Sequence, residues 1–226
     1  MGCENDKGKG FLLTWVIYLS SILSHWHHDH VQGLPALLKS LDATNPPPRI
    51  HKYLNSAEDA AIESSLSSSG SLQTFTDDHR TFSVGDGDLS VSLDAYHTPG
   101  HTTDHLSFLL PSEGIFFSGD NVLGQGTSVF EDLSAYLASL QRSVEIIRAD
   151  SKARDVDTIL PAHGPVIERK GVQTLEMYIR HRLEREQQVL DLLKERGPLG
   201  LMQIVEVLYA QCEFARGETR EMVIRG

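Results

Sequence analysis

Segments in which apolar residues have the spacing of a helix take turns, along most of the chain, with segments in which they have the spacing of a strand. Apolar positions three or four residues apart predict helices at residues 31–41, 57–66, 133–148, 171–196 and 201–210. Alternating or short continuous apolar runs between turn residues predict strands at residues 21–24, 49–54, 81–84, 89–96, 105–110, 114–118 and 156–160. Because only helices follow residue 168, the pattern predicts an α/β core over residues 1–168 and a helical C-terminal region over residues 169–226.

Residues 11–23 form a continuous apolar run near the N-terminus. The run is shorter than a membrane span, which needs about 20 apolar residues, and no small-residue cleavage site follows it before His25. We therefore expect a buried strand or helix in a protein with no membrane contact. Cys3 and Cys212 fit no metal-ligand spacing, and two free thiols favour a cytoplasmic location.

The acidic balance of the chain narrows the choice of partner. Its formal net charge is −11 at pH 7, and a surface of that sign repels phosphate backbones. Composition therefore favours a small-molecule or carrier-protein-bound substrate over nucleic acid.

Four histidines fall within six positions, in the run His25-x-His27-x-Asp29-His30 with His28 between. Zinc takes nitrogen from histidine and oxygen from carboxylates. Side chains two apart on an extended segment point the same way, so His25 and His27 can reach one ion. Four ligands within six positions are too dense for one tetrahedral site, which indicates two adjacent metals. A chance histidine tract on the surface is the alternative that we weigh against it.

Three further candidate ligands stand at the ends of predicted strands. His101 lies in a tight turn, Asp120 closes an apolar strand, and His163 follows Pro161 and Ala162. Ligands from several strand ends can converge at one edge of a sheet, and a carboxylate such as Asp120 can bridge two cations.

These motifs, taken in order, resemble those of the metallo-β-lactamase superfamily. The likeness rests on His25-x-His27-x-Asp29-His30 and on residues 98–102, 118–120 and 161–164, and it extends over about residues 21–196. The resemblance implies an αββα sandwich in the α/β class, with a small helical C-terminal part. It further implies two zinc ions, one held by His25, His27 and His101. The second would be held by Asp29, His30 and His163, with Asp120 bridging.

A narrower likeness connects the chain with the β-lactamase-like protein 2 group. It is carried by residues 119–127, residues 129–133 and the stretch from Tyr178 to Glu186. That group includes endoribonucleases and fungal thioesterases that release polyketides from an acyl carrier protein in secondary metabolism. The shared stretches do not separate these activities.

The implied chemistry is hydrolysis. Two zinc ions about 3.5–4 Å apart bridge a water molecule, lower its pKa to roughly 7 and make a hydroxide that attacks a carbonyl or phosphorus. Asp29 and Asp120 would act as catalytic residues by orienting the nucleophile or taking its proton. His105 is a candidate support for the ligands, with a structural histidine as the alternative. His181 is a candidate substrate contact, with a solvated helix face as the alternative.

The chain departs from the family pattern at both ends. Only 24 residues precede His25, and they lack the strands and the Asp-Thr-Gly-type turn that usually come first. We expect the first strands of one sheet to be missing or replaced, as in an N-terminally truncated relative, and the C-terminal part to be an incomplete winged-helix-like region.

Three functions follow as hypotheses. The first is hydrolysis of a thioester or related acyl substrate, which the acidic charge favours. The second is a single-strand-specific endoribonuclease, for which Arg180, Arg182 and Arg185 could contact phosphates, although a solvated helix face is the simpler reading. The third is an inactive truncated relative with structural zinc, and the full ligand set argues against it because structural zinc needs only four ligands.

Overall fold

The computed structural model describes residues 20–40, 49–66, 70–84, 90–151 and 157–210, with the exception of the side chains of residues 150 and 151. Most of the apolar run at residues 11–23 therefore lies outside the described residues, as does Leu41 of the first predicted helix. Both cysteines lie outside them as well.

The described strands form two sheets. The first sheet has three parallel strands in the order β1 (Ser20–Ile22), β2 (Arg49–Tyr53) and β3 (Ser71–Phe75). The second has five, in the order β4, β5, β6, β7 and β8, antiparallel except for the last pair. Their bounds are His79–Val84, Val91–His97, Leu106–Leu110, Ile115–Gly119 and Thr158–Pro161.

Helices lie on the outer faces of both sheets. The short α1 (His28–Val31) follows β1. The first half of the chain also holds α2 (Leu34–Ser40) and α3 (Asp59–Leu66). The second half holds α4 (Leu133–Ser151), α5 (Gly171–Arg196) and α6 (Leu201–Leu208).

Three apolar clusters hold these layers together. The cluster between the sheets joins Ile22 and Phe75 of the first sheet to alternate residues of β5, β6 and β7, such as Phe108. Because side chains alternate across a strand, Leu109 and Phe116 point the other way, toward α4 and α5. A third cluster packs α2 and α3 on the outside of the first sheet. The resulting order of helices, sheet, sheet and helices is the expected αββα sandwich.

The predicted elements agree with the structure over most of the chain. Two elements were not predicted. The short helix α1 begins within the histidine run, which was expected to be extended. The strand β3 has no apolar alternation in its sequence, and only Phe75 of this strand is buried. The first half of α5 contributes Leu175 and Tyr178 to the cluster beneath the second sheet. The division at residues 168 and 169 stays a prediction. None of the helices in the described part of the chain is long and apolar enough to cross a membrane.

Candidate metal centre

All seven predicted ligands lie together at one edge of the two sheets. They form two groups whose ligand atoms lie within 4.8 Å of one another. The first group is His25, His27, His101 and Asp120, and the second is Asp29, His30 and His163. β1 delivers the histidine run, and the ends of β7 and β8 deliver Asp120 and His163.

In the first group, three ring nitrogens face one another. His27 Nδ1 lies 3.1 Å from His25 Nε2 and 3.1 Å from His101 Nε2. Asp120 Oδ2 lies 3.8 Å from His25 Nε2 and 3.5 Å from His101 Nε2. Four donors around a tetrahedral zinc with metal–nitrogen bonds of about 2.0–2.1 Å stand roughly 3.3 Å apart, so this group has the spacing of a zinc site.

The second group shares Asp120 with the first. His163 Nε2 lies 3.0 Å from Asp29 Oδ2 and 3.4 Å from His30 Nε2. Asp120 Oδ1 lies 3.4 Å from His30 Nε2, and Asp120 Oδ2 lies 3.5 Å from His163 Nε2. The carboxylate thus stands between both groups, as a bridging ligand would.

Hydrogen bonds on the far side of the rings fix which nitrogen points into the centre. His101 Nδ1 donates to the Val129 carbonyl at 2.8 Å, so its Nε2 carries the lone pair. Ser24 Oγ lies 3.1 Å from both His25 Nδ1 and His30 Nδ1, and a hydroxyl oxygen can accept two hydrogen bonds. Sequence reasoning missed Ser24 and the Val129 carbonyl. The position of Ser24 directly before the histidine run is a usable signal, whereas a backbone carbonyl gives none.

His105 supports Asp120 from behind. The ring is fully buried, its Nε2 accepts the Asp120 backbone N–H at 3.0 Å, and its Nδ1 donates to Thr98 Oγ1 at 2.9 Å. Gly119 makes room for this contact, since its φ is +53° and an added Cβ would lie 2.5 Å from His105 Nε2. His105 therefore positions a candidate ligand through the backbone and belongs to neither ligand group.

The metal-free electrostatics suit cation binding. Burial lowers the pKa of His25, His27 and His101, which keeps these rings neutral at pH 7. Burial opposes ionisation of Asp120, but the neighbouring His163 and His30 rings outweigh it and hold the pKa of Asp120 far below its usual range. The Asp120 carboxylate in turn raises the pKa of His163. Asp120 Oδ1 is buried without a hydrogen bond, which is the kind of orphaned acceptor that a bound cation would satisfy.

Exposure shows from which side a substrate reaches the centre. The side chain of Asp29 is 51% exposed and that of His163 is 35% exposed, whereas His25 is fully buried. The centre therefore opens at the second ligand group.

The remaining predicted residues lie outside the centre. His28 is exposed on α1 and belongs to neither ligand group. His181 is exposed on α5 and belongs to neither ligand group. The reading of Arg182 as part of a solvated face was wrong: its side chain is buried and Nη2 donates to the Ser128 carbonyl.

A buried charge cluster beside the centre was also missed. Lys52 Nζ is fully buried, 2.5 Å from Asp104 Oδ2 and 2.7 Å from Asp59 Oδ1. Strand alternation offered a signal, because it places Lys52 on the same face as the buried Ile50.

Comparison with known proteins gives the family of the chain. A family model described as the metallo-beta-lactamase superfamily matches residues 22–163. The chain is 35% identical over 195 residues to a beta-lactamase-like protein 2 homolog of Caenorhabditis elegans, covering 86% of this chain and 58% of that protein. It is also 36% identical over 193 residues to the homolog of Drosophila melanogaster, covering 84% of this chain and 60% of that protein. The chain thus spans less than two thirds of the length of these two relatives.

One fungal relative has a name that states a substrate. An atrochrysone carboxyl ACP thioesterase of Pseudocercospora fijiensis is 33% identical over 213 residues, covering 92% of this chain and 54% of that protein. Among solved structures, a metallo-beta-lactamase from Pontibacter korlensis superposes with a TM-score of 0.50 at 20% identity, covering 72% of this chain and 69% of the other, which is a likeness of fold. The family match over the region that carries the ligands, and the identity to these relatives, show that the chain belongs to the metallo-beta-lactamase superfamily.

Proposed function

We propose that the chain is a dinuclear zinc hydrolase that acts on a thioester or a related acyl substrate. The observation that carries the proposal is the pair of ligand groups that share the Asp120 carboxylate. A structural zinc site is closed by four ligands, whereas this centre has seven and an opening beside Asp29.

The residues fit two cations. His25, His27 and His101 would hold the first, Asp29, His30 and His163 the second, and Asp120 would bridge them. Zinc, when bound, supplies Lewis acidity that polarises a carbonyl oxygen and acidifies a water molecule. Histidine and aspartate also suit iron or manganese, so the metal loaded in the cell is part of what the experiment must determine.

Two carboxylates of the chain would carry out the proton transfers. Asp120 is ionised at neutral pH because its pKa is held low, so it can orient a water molecule and accept a hydrogen bond from it. Asp29 stands at the open side of the centre and contacts His163. We infer that Asp29 is the carboxylate that passes a proton between the centre and the leaving group.

Two observations support an acyl substrate. The fungal relative is named as an acyl carrier protein thioesterase. The net charge of −11 disfavours the long phosphate backbone of RNA. A substrate bound to coenzyme A or to a carrier protein would present its carbonyl to the open side of the centre.

RNA cleavage gains little support from the three arginines near the middle of α5. Arg182 is buried against Phe130 and Tyr136, and the Arg185 guanidinium lies 4.6 Å over the Tyr209 ring. Of the three arginines that the sequence offered for phosphate contacts, Arg180 is the one that is exposed. We therefore keep the endoribonuclease as an outcome of the test.

The first experiment is metal content per chain, by elemental analysis after gel filtration. We expect two zinc ions per chain. The loaded protein is then assayed for release of free thiol from an acyl-coenzyme A thioester. Asp120→Asn, which keeps the volume of the side chain, should lower the rate by at least about 100-fold, because acid–base groups contribute roughly 10²–10⁴-fold.

Asp77→Asn is the matched control, since the Asp77 side chain is 61% exposed and lies outside both ligand groups. Its rate should equal that of the wild type. A chain that binds two zinc ions yet leaves acyl thioesters intact would contradict the substrate assignment. Salt-sensitive cleavage of single-stranded RNA by that chain would favour the alternative.

A further inference from the structure

The loop at residues 121–130 touches both ligand groups of the candidate centre. It begins directly after Asp120, and Val129 within it accepts the hydrogen bond from His101 Nδ1. Its Gly124 N–H donates to the His163 carbonyl at 2.8 Å. Three ligands drawn from both groups therefore depend on where this loop lies.

Two residues of α5, one helical turn apart, hold that loop. The Tyr178 hydroxyl accepts the Leu123 N–H at 3.2 Å and has two carbonyls within reach as acceptors, Gly126 at 2.9 Å and Leu123 at 3.1 Å. Burial raises the pKa of Tyr178, so the hydroxyl stays a donor. Arg182 donates to the Ser128 carbonyl, next to the carbonyl that orients His101.

The Arg182 side chain lies in the protein interior. It is 7% exposed, and its guanidinium lies 4.9 Å from the centroid of the Phe130 ring. Ser128 is buried as well, and its hydroxyl donates to the Asp120 carbonyl. A buried cation at this point stiffens the segment between Asp120 and the acceptor of His101.

The loop has little freedom to compensate if these contacts are lost. A Cβ added to Gly124 would lie 2.0 Å from the Pro165 carbonyl oxygen, so the loop backbone runs directly against the turn after His163. Tyr136 fixes the other end by donating to the Asn121 carbonyl at 2.6 Å. A shift of the loop would therefore be transmitted to His101 and His163.

We propose that Tyr178 and Arg182 are positioning residues for the metal centre, which set its metal affinity by clamping the loop at residues 121–130. The inference rests on the metal binding proposed above and extends it to a helix outside the ligand set. Neither side chain is itself a ligand. Residues that orient ligands from behind typically change metal affinity by about 10- to 100-fold when they are replaced.

The test is a zinc titration of the metal-free full chain in competition with a chromophoric chelator at pH 7. Tyr178→Phe removes only the hydroxyl, and Arg182→Met removes the donors while keeping much of the volume. Both should weaken zinc binding by about 10- to 100-fold. Arg182→Lys keeps a cationic donor and should lose less than Arg182→Met.

Two control variants change residues on α5 and directly after α6. Arg180→Met removes an exposed arginine of α5, and Tyr209→Phe removes a hydroxyl just after α6. Both should bind zinc within about twofold of the wild type. Urea unfolding of each metal-free variant, measured in parallel, separates a general loss of stability from a loss of metal affinity. Cobalt loading adds a second readout, because displaced ligands change the visible absorption of the bound ion.

Wild-type affinity and an unchanged cobalt spectrum in Tyr178→Phe and Arg182→Met would overturn the inference, however unstable those variants are. If Arg182→Met does not fold, Tyr178→Phe and Arg182→Lys decide the question by the same criteria. Zinc binding by the wild type with unaffected variants would remove this inference alone. A folded wild type that binds no zinc would remove the proposed function and the inference together.

Discussion

Replacing Lys52 with methionine should destabilise the chain strongly, because it leaves two carboxylates without their cation. The Lys52 ammonium lies 2.5 Å from Asp104 Oδ2 and 2.7 Å from Asp59 Oδ1, and it donates to the Tyr53 carbonyl at 2.9 Å. These contacts join β2 to α3 and to the turn that follows His101. Methionine fills a similar volume, so the change removes charge more than packing.

The expected cost follows from burial. Lys52 and Asp104 are both 0% exposed, so water cannot replace the lost partner. Removing one partner of a buried ion pair costs about 3–5 kcal/mol, since the other charge stays desolvated. For a protein of this size each kcal/mol shifts Tm by about 2–4 °C, which gives a fall of roughly 6–20 °C.

Urea unfolding of the metal-free protein at pH 7 measures this loss. Lys39→Met is the matched control, because Lys39 is exposed on α2, and it should change the free energy of unfolding by less than about 0.5 kcal/mol. The double variant Lys52→Met/Asp104→Asn should recover part of the loss by removing one stranded charge. A Lys52→Met chain within about 1 kcal/mol of the wild type would refute the reasoning.

The other predictions concern the centre and its support. Gly119→Ala should cost about 2–4 kcal/mol in urea unfolding, because φ is +53° and the new Cβ meets His105; a loss under about 1 kcal/mol would contradict the assigned contact. Burial lowers the pKa of His25, His101 and His105, so the metal-free chain binds fewer protons folded than unfolded. Its free energy of unfolding should therefore fall as the pH drops below about 6.5, by up to about 1.4 kcal/mol per pH unit for each histidine, and a flat profile between pH 7 and 5 would count against this. Zinc at about 100 times its Kd should raise the free energy of unfolding by about 2.7 kcal/mol, and a chelator that leaves thermal unfolding unchanged would speak against metal binding.

Local sequence motifs and the resemblance that they carry were enough to predict the candidate ligands. His25, His27, Asp29 and His30 lie within six positions, and Asp120 and His163 follow apolar strands whose ends a reader can locate. Strand and helix periods likewise gave the two halves of the sandwich, because each depends on residues a few positions apart. The strand β3 was not predicted, because Phe75 is its one buried residue and its sequence shows no strand period.

Contacts between distant segments required the tertiary structure. His101 meets His27 across 74 positions, and His30 meets His163 across 133. The carbonyl that accepts the hydrogen bond from His101 Nδ1 lies 28 positions away. Because it is a backbone group, no pattern of side chains could predict it. The sequence by itself determined which side chains are able to bind a metal, because ligand chemistry belongs to the residue. Only the fold decided that they share one centre and that buried Arg182 stands behind it, because burial and distance belong to the packed chain.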